Sequence, residues 1–276
     1  MAADAQPTPQ VPPDGLLSPP PDLNRVPSSA ASVLLPLPPP RSEPLLPGGR
    51  LEDSVRRRVE KELTNVSRRY VKRGGSPDRS DPLPGFTSFE EVCRELDSLV
   101  DVLWKTATPS LQIPLLLRLG SDFTQYVASF PPDPQFSFAL LGKLDHCFAS
   151  LLAGKDIDSG ALLPGLQTGP QAGMSVTDMV RCRSLVEQTR LLMAEVMSHE
   201  LSESGSGSGS GSEGEGNDED DEEGMDADDA EADIYLGTAR VYEKTIVQLG
   251  RRLGEPLVDE NAPTNVLPSP TCPALA

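Results

Sequence analysis

Apolar residues recur at spacings of three and four along several stretches between residues 50 and 201, the periodicity of amphipathic helices. The first predicted helix runs from about Leu51 to Lys72, and Gly74 and Gly75 end it. No stretch shows the alternation that is typical of a strand. The pattern therefore predicts an all-α fold, a small helical bundle of about five to six helices. The apolar face of the first helix consists of Leu51, Val55, Val59, Leu63, Val66 and Tyr70.

Capping residues mark the starts of the later helices. Thr87 or Ser88 precedes the second helix, with an acidic residue three positions on, as in a capping box. Pro114 suits the first turn of the third helix, where a missing N–H costs little. Asp133 is the expected N-cap of the fourth. The third helix is predicted over 113–130 and the fourth from Asp133 onward. The fifth is predicted over 175–201, starting near Ser175 with Asp178 placed to close a cap.

Proline and acidic residues predict three disordered segments around the bundle. Residues 1–49 contain fourteen prolines, and proline fixes φ and removes a backbone donor, so this arm should have polyproline II character. Residues 202–233 alternate Gly and Ser and then become acidic, so they predict an extended, disordered linker. We expect residues 255–276 to be a disordered tail. The bundle itself is predicted over 50–201.

A last amphipathic helix is predicted over 234–254, after the acidic linker. Its apolar residues repeat at spacings of 4-3-4-3-4. An isolated helix of this length is marginal in water, so it needs a surface to pack against. We expect it to dock on the bundle as its sixth helix, and the alternative is that it binds another protein. The apolar positions are Tyr235, Ala239, Tyr242, Ile246, Leu249 and Leu253.

The net charge of −18 is concentrated in one segment. Residues 213–233 hold thirteen Asp and Glu and no basic residue, which leaves −5 for the rest of the chain. The four cysteines show no metal-ligand spacing, and three of them fall on apolar helical faces. No signal peptide or membrane span is evident. We therefore expect a soluble protein of the nucleus, or alternatively of the cytoplasm.

The sequence offers little for catalysis or for cofactor binding. His146 and His199 are the only histidines, and no phosphate-binding loop or zinc-protease motif occurs. The acidic run lacks the spacing of a calcium loop. We therefore predict no enzyme activity, no catalytic residue, no cofactor, no metal site and no small-molecule substrate.

The first helix carries the strongest candidate binding site, two clusters of basic residues. Such clusters can contact nucleic-acid phosphates or act as a nuclear import signal. They can equally be a solvated face that nearby acidic residues neutralise, or a patch that the tethered acidic linker shields. The candidate residues are Arg56, Arg57, Arg58, Lys61, Arg68, Arg69, Lys72 and Arg73.

Two weaker signals lie outside the predicted helices. Pro36, Pro39 and Arg41 form a PxxPxR motif, in which two prolines share one polyproline face and the arginine is a basic anchor for an SH3 domain. Four serines are followed by proline or acidic residues and are possible phosphorylation sites. These are Ser18, Ser76, Ser212 and Ser269.

Several segments resemble a poorly characterised family of helical proteins from filamentous fungi, sometimes labelled as meiotic recombination proteins. They are Ser88–Asp97, Thr108–Pro114, Lys143–Leu152 and Ala239–Gly250. The resemblance implies a helical fold and a nuclear role, and it implies no site residue. A RecA-type strand-exchange ATPase is excluded because the phosphate-binding loop is missing.

These observations predict a non-enzymatic nuclear adaptor or complex subunit in chromosome or DNA metabolism, for example in meiotic recombination. The helical body would bind an unknown protein partner, and the basic helix would contact nucleic acid or an acidic partner. The alternative is a cytosolic scaffold protein in trafficking or signalling.

Overall fold

The all-α prediction is confirmed by a computed structural model. It describes residues 36–75, 83–166, 173–205 and 223–254, without the side chains of 200–205 and 223–230. Within these ranges the only extended pairing is an isolated bridge between Lys155 and Leu162. The prediction of disorder for residues 1–35, for most of the acidic linker and for the tail concerns residues that the structure does not describe. The helices are α1 (Arg50–Val71), α2 (Phe89–Lys105), α3 (Pro109–Val127), α4 (Pro134–Ala153), α5 (Val176–Gly205), α6 (Glu223–Ala239) and α7 (Glu243–Leu253).

Three helix starts follow the predicted capping chemistry. The side chains of Ser88, Asp133 and Ser175 each accept a hydrogen bond from the backbone N–H three residues on, at 3.2–3.3 Å. Each bond satisfies one of the N–H groups that a helix leaves unpaired at its first turn. The local sequence therefore suffices to set where α2, α4 and α5 begin.

Helix α3 begins four residues earlier than predicted, with Pro109 at its first position. Thr108, the residue before it, is buried, and its hydroxyl accepts a 2.8 Å hydrogen bond from the backbone N–H of Leu45. Pro114 consequently lies inside the helix rather than in its first turn. Proline suits the first position of a helix, where its missing N–H would be unpaired in any case, so Pro109 fits the earlier start.

Helix α4 forms the centre of the bundle and contacts α2, α3, α5, α6 and α7. By length and composition alone, Pro134–Ala153 is apolar enough to cross a membrane. Of that stretch 72% is buried inside the molecule, as in the central helix of a folded core. Leu144, Phe148 and Leu151 are at most 1% exposed, so its apolar character is accounted for by packing.

The C-terminal part contains two helices where the spacing predicts one. Helix α6 begins at Glu223, inside the predicted linker, and ends at Ala239. The chain then turns, and Tyr242 takes a left-handed φ of 56° that is uncommon for a residue with a side chain. This turn brings the Tyr242 ring into the core, 6.0 Å from the ring of Phe148. Burial of the aromatic side chain accounts for the break.

Asp145 fixes the start of α7 on α4. Tyr242, at the N-cap position, gives no side-chain hydrogen bond. The carboxylate of Asp145 accepts hydrogen bonds from the backbone N–H groups of Lys244 and Thr245 at 3.1 and 2.7 Å and from the Thr245 hydroxyl at 2.6 Å. A residue on another helix thus supplies the cap. We call this α4–α7 contact, centred on Asp145, Tyr242 and Thr245, the seam.

The last part of the proline-rich arm lies against the helical body. Leu45 is only 4% exposed, and the backbone N–H of Arg41 donates to the carbonyl of Lys105 at 3.4 Å. Leu37 packs partly buried on the core. Residues 36–49 are therefore ordered against α2 and α3, although the whole arm up to residue 49 is predicted to be disordered.

Candidate polyanion-binding site

The orientation of α1 is fixed by its apolar face. Val59, Leu63 and Val66 are at most 1% exposed and face the core. Each residue advances a helix by about 100°, so the opposite face carries one basic residue after another. Along the axis this row extends about 27 Å. We call it the basic stripe; it consists of Arg50, Arg57, Lys61 and Arg68, all of them exposed.

Arg69, a predicted site residue, is instead a structural clamp between α1 and α2. Its guanidinium makes ion pairs with Glu91, at 2.9 Å, and with Glu95, and its Nε donates to the carbonyl of Pro84 at 3.1 Å. It also stacks 4.0 Å from the centre of the Phe86 ring. With its donors used in this way, Arg69 is not available to a ligand.

Arg56, whose side chain is partly exposed, is paired with Glu52 at 3.3 Å. The carboxylate of Glu52 also accepts hydrogen bonds from the backbone N–H of Gly48, at 2.6 Å, and from the hydroxyl of Ser110, at 3.0 Å. The Gly48 bond, followed by that of Ser110, lowers the pKa of Glu52. This carboxylate ties the start of α1 to α3.

Of the remaining predicted residues, Arg68 lies on the stripe and has an interaction partner, and the others divide into two groups. Lys72 donates to the carbonyl of Leu83 at 2.9 Å, and Arg73 lies 4.1 Å from the ring centre of Tyr70 and donates to its carbonyl. Other residues make no hydrogen bond or ion pair within the part of the chain that the structure describes, and we call them the unpaired cations. They are Arg57, Arg58 and Lys61.

The unpaired cations and the stripe are not free of negative charge. Asp53 and Glu60 lie on one flank of the stripe and Glu62 on the other, about 60–120° around the helix. The sequence reveals this set of charges. It does not reveal that Arg50 belongs to the stripe, because this depends on the helix starting at that residue. Nor does it reveal that Arg69 is not part of the site, because this depends on acidic partners in α2.

The PxxPxR motif keeps the exposure that an SH3 ligand requires. Pro36, Pro39 and Arg41 are exposed, whereas Leu37 and Pro40 are partly buried against the body. A polyproline helix has three residues per turn, so positions 36 and 39 share a face. The four possible phosphorylation sites, Ser18, Ser76, Ser212 and Ser269, lie outside the described residues.

A cluster of charged side chains near the arm was not predicted. The ring nitrogens of His146 lie 3.1 Å from Asp156 and 3.2 Å from Asp158, and Lys143 pairs with Asp97 and Asp101 at 2.6 and 2.9 Å. These pairs connect α2, α4 and the following loop. The only sequence signal for them is the concentration of charge on otherwise apolar helices, because the partners are far apart along the chain.

This cluster gives no catalytic arrangement that we can assign. Burial raises the pKa of Asp97, although the hydrogen bond from Lys143 opposes that effect. Among the described residues, no group of three or more His, Cys, Asp or Glu side chains is arranged to hold a metal ion.

The described cysteines are part of the core. Cys93, Cys147 and Cys182 are buried as free thiols. Burial raises the pKa of all three, that of Cys182 to about 12, so the reactive thiolate form is suppressed.

Comparison with known proteins adds one family. The family model of TFB6, described as subunit 11 of the general transcription factor TFIIH, matches residues 85–250, more than half of the 276 residues. This chain belongs to the TFB6 family. The matched range contains α2 to α5 and reaches into α7, so it includes the seam, whereas α1 and its basic stripe lie before it. No match was found among the curated proteins or among the solved structures.

Membership in the TFB6 family confirms the coarse prediction of a nuclear complex subunit in DNA metabolism. A subunit of a transcription factor complex has protein partners, and a non-catalytic role agrees with the prediction that the chain is not an enzyme. The match includes all four segments that carried the fungal resemblance, and it does not address the meiotic label.

Proposed function

We propose that this chain is a non-catalytic subunit of TFIIH and that its helical body binds another subunit of that complex in the nucleus. The TFB6 match over residues 85–250 carries the proposal, because it spans the helices that build the core. The burial of the described thiols and the mutual pairing of the charged cluster support a binding role rather than catalysis.

Affinity purification of the tagged full chain from nuclear extract tests this proposal. TFIIH subunits should be recovered with it, and they should remain bound after nuclease treatment if protein contacts hold the complex. The control is a variant with Tyr242→Ala, in which the seam is disrupted. Recovery of the wild-type chain without any TFIIH subunit would refute the proposal.

We also propose that the unpaired cations, with the stripe around them, bind the phosphates of a nucleic acid. Lys and Arg side chains that neutralise phosphates release condensed counterions, which makes such binding strongly dependent on salt. The supporting observation is that Arg57, Arg58 and Lys61 are exposed and unpaired within the described residues, whereas Arg56 and Arg69 are used internally.

A triple variant with Arg57→Gln, Arg58→Gln and Lys61→Gln tests the phosphate contacts. Because each lost contact removes about 0.9 from the salt slope for duplex DNA, the slope should fall by roughly 2–3. Arg181→Gln with Arg251→Gln, two exposed cations on other helices, is the control and should bind nearly as the wild type does. An unchanged affinity and slope in the triple variant would remove nucleic acid from the proposal.

The acidic linker is proposed to shield the basic stripe, since the thirteen carboxylates of residues 213–233 are tethered to the same molecule. Deletion of residues 204–232 should then strengthen binding to duplex DNA at low salt and have little effect at high salt. Weaker DNA binding after the deletion would contradict shielding. The same basic clusters are proposed as an import signal, which predicts that the triple variant is partly excluded from the nucleus.

A second candidate function is a cytosolic scaffold that binds SH3 domains, and the exposure of Pro36, Pro39 and Arg41 favours it. Fluorescent tagging of the full chain separates the two candidates, because exclusion from the nucleus would support the scaffold. A role in meiotic recombination stays a prediction from the fungal resemblance.

A further inference from the structure

The arm, α1 and α2 enclose an apolar groove at the opposite end of the α1–α2 contact from the Arg69 clamp. Its volume is about 410 Å³. Leu45 is buried beneath it, Val55 and Val102 are partly buried, and Leu51 on its edge is 55% exposed. The full lining is Pro39, Arg41, Leu45, Leu51, Val55, Val102, Lys105 and Thr106.

The charged residues that line this groove have one sign. Arg41 and Lys105 are both exposed, and their side chains make no hydrogen bond or ion pair within the described part of the chain. No carboxylate lines the groove. Thr106 contributes no free donor, because its hydroxyl donates to the carbonyl of Leu103 at 2.7 Å.

A neighbouring cavity along the same α1–α2 contact differs from the groove, because it is lined by charges of both signs. It has a volume of about 470 Å³ and contains Glu62 and Glu95 beside Arg58 and Arg69. Arg69 is already neutralised by Glu95 and Glu91. Charges of both signs meet there, so it offers no comparable preference for an acidic ligand.

We propose that the apolar groove binds an acidic peptide segment of a partner protein, with one or two large apolar side chains in the groove and carboxylates on Arg41 and Lys105. An apolar pocket with a basic rim favours this combination, because the anchors supply burial and the charges select the partner. Acidic segments with interspersed apolar residues occur in many disordered interaction regions.

The acidic linker of this chain lacks the required anchors. Between residues 204 and 233 its only apolar residue larger than alanine is Met225. Ile234, just beyond, already packs on the core of this chain. The linker is therefore excluded as the occupant. The proposal places the occupant on a partner in trans, and the groove is separate from the proposed phosphate contacts on the stripe.

Binding of labelled probe peptides to the full chain, followed by fluorescence anisotropy, tests the proposal. The probe is a short peptide that alternates Asp or Glu with Leu and Phe. One control peptide has Ser in place of Leu and Phe, and a second has Lys in place of the acidic residues. Each control should bind at least about tenfold more weakly than the probe.

Two variants locate the binding. Arg41→Glu with Lys105→Glu, and separately Leu51→Ser, change exposed positions and should weaken binding of the probe by about tenfold with unchanged circular dichroism. The matched controls are Arg181→Glu with Arg251→Glu, and Leu191→Ser on an exposed position of α5; both should bind within about twofold of the wild type.

Three results would overturn the proposal. Equal binding of the acidic and the Ser-substituted peptide would show that charge alone causes the binding and that the apolar groove is not used. A loss of binding in the Arg57, Arg58 and Lys61 triple variant, with none in the groove variants, would assign the peptide to the stripe. Self-association of the chain that Leu51→Ser abolishes, without peptide binding, would make a second copy the occupant. None of these results affects the proposed membership of TFIIH, which the purification tests.

Discussion

The seam and the α1–α2 edge are closed in different ways. At the seam, Tyr242 is 1% exposed and Thr245 is fully buried, with the carboxylate of Asp145 capping α7. At the edge, the apolar face of α1 is buried on the core, but ion pairs of Arg69 with partners that are more than a third exposed close its solvent side toward α2, and cavities of about 470 and 410 Å³ flank the contact.

This difference distinguishes the part of the molecule that supplies stability from the part that offers a contact surface. A seam of buried aromatic rings and capped N–H groups gains its free energy from burial and has no surface left for a ligand. An edge closed by partly exposed ion pairs gains less and keeps cations and apolar side chains accessible. The proposed contacts of this chain, the stripe and the apolar groove, both lie at the edge.

The largest expected effect is at the centre of the seam. Tyr242→Ala removes a fully buried aromatic side chain and should lower the free energy of unfolding by about 3–5 kcal/mol. Tyr235→Ala, at a position that is 58% exposed, is the control and should cost less than about 1 kcal/mol. Denaturant unfolding measures both, and similar values for the two variants would contradict the assignment of the seam.

Removal of the Asp145 cap should lower the free energy of unfolding somewhat less than Tyr242→Ala does. Asp145→Ala leaves two backbone N–H groups of α7 without their acceptor, and the buried Thr245 hydroxyl keeps only the backbone carbonyl of residue 145, at 3.1 Å, so we expect a loss of about 2–3 kcal/mol. The control Asp158→Ala removes a carboxylate that is itself 66% exposed, with its contacts to Lys244 and His146, and should stay within about 1 kcal/mol of the wild type. Amide exchange of α7 should rise in Asp145→Ala; protection as in the wild type would show that the cap is dispensable.

The Arg69 clamp between α1 and α2 should contribute about 1 kcal/mol to the free energy of unfolding. Arg69→Met keeps most of the packing volume and removes both ion pairs, whose carboxylates remain solvated enough to tolerate the loss. Arg94→Met, which removes an exposed pair within α2, is the control and should have almost no effect. If Arg69→Met lowered the free energy of unfolding as much as Asp145→Ala does, the edge and the seam would not differ as described.

The smallest effect concerns pH. The hydrogen bond from the Thr87 hydroxyl, together with the charge and hydrogen bond of Arg69, lowers the pKa of Glu91 below its ordinary value of 4.5, against the effect of burial. A lowered pKa in the folded state adds stability above pH 4.5 that is lost as the pH falls through the lowered value. The stability difference between wild type and Glu91→Gln, a few tenths of a kcal/mol, should therefore shrink below pH 4.5. A difference that stays constant down to about pH 3 would contradict this.

The sequence predicts the parts of the molecule that depend on neighbours along the chain. The period of three and four gives the helices, and Ser88, Asp133 and Ser175 give three of their starts. The left-handed turn at Tyr242 could not be predicted, because the apolar spacing continues through it and its cause is a pocket beside Phe148. Similarly, Asp145 caps a helix one hundred residues away.

The same limit applies to the candidate site. Basic residues on α1 can be counted in the sequence, and their solvent-facing positions follow from the apolar face. Whether each cation is available depends on partners elsewhere: Arg69 is paired by residues 22 and 26 positions away, whereas Arg57 has no such partner among the described residues. The apolar groove depends on the ordered end of the arm, which its prolines do not predict.

Hydrogen exchange of the full chain, alone and in the TFIIH complex purified with it, tests the central claim most directly. The contrast between edge and seam predicts new protection in the arm and α1 on assembly, over about residues 41–66, with α4 and α7 already protected in the free chain. New protection confined to α4 and α7, with α1 unchanged, would show that the seam is the contact surface and would contradict the account.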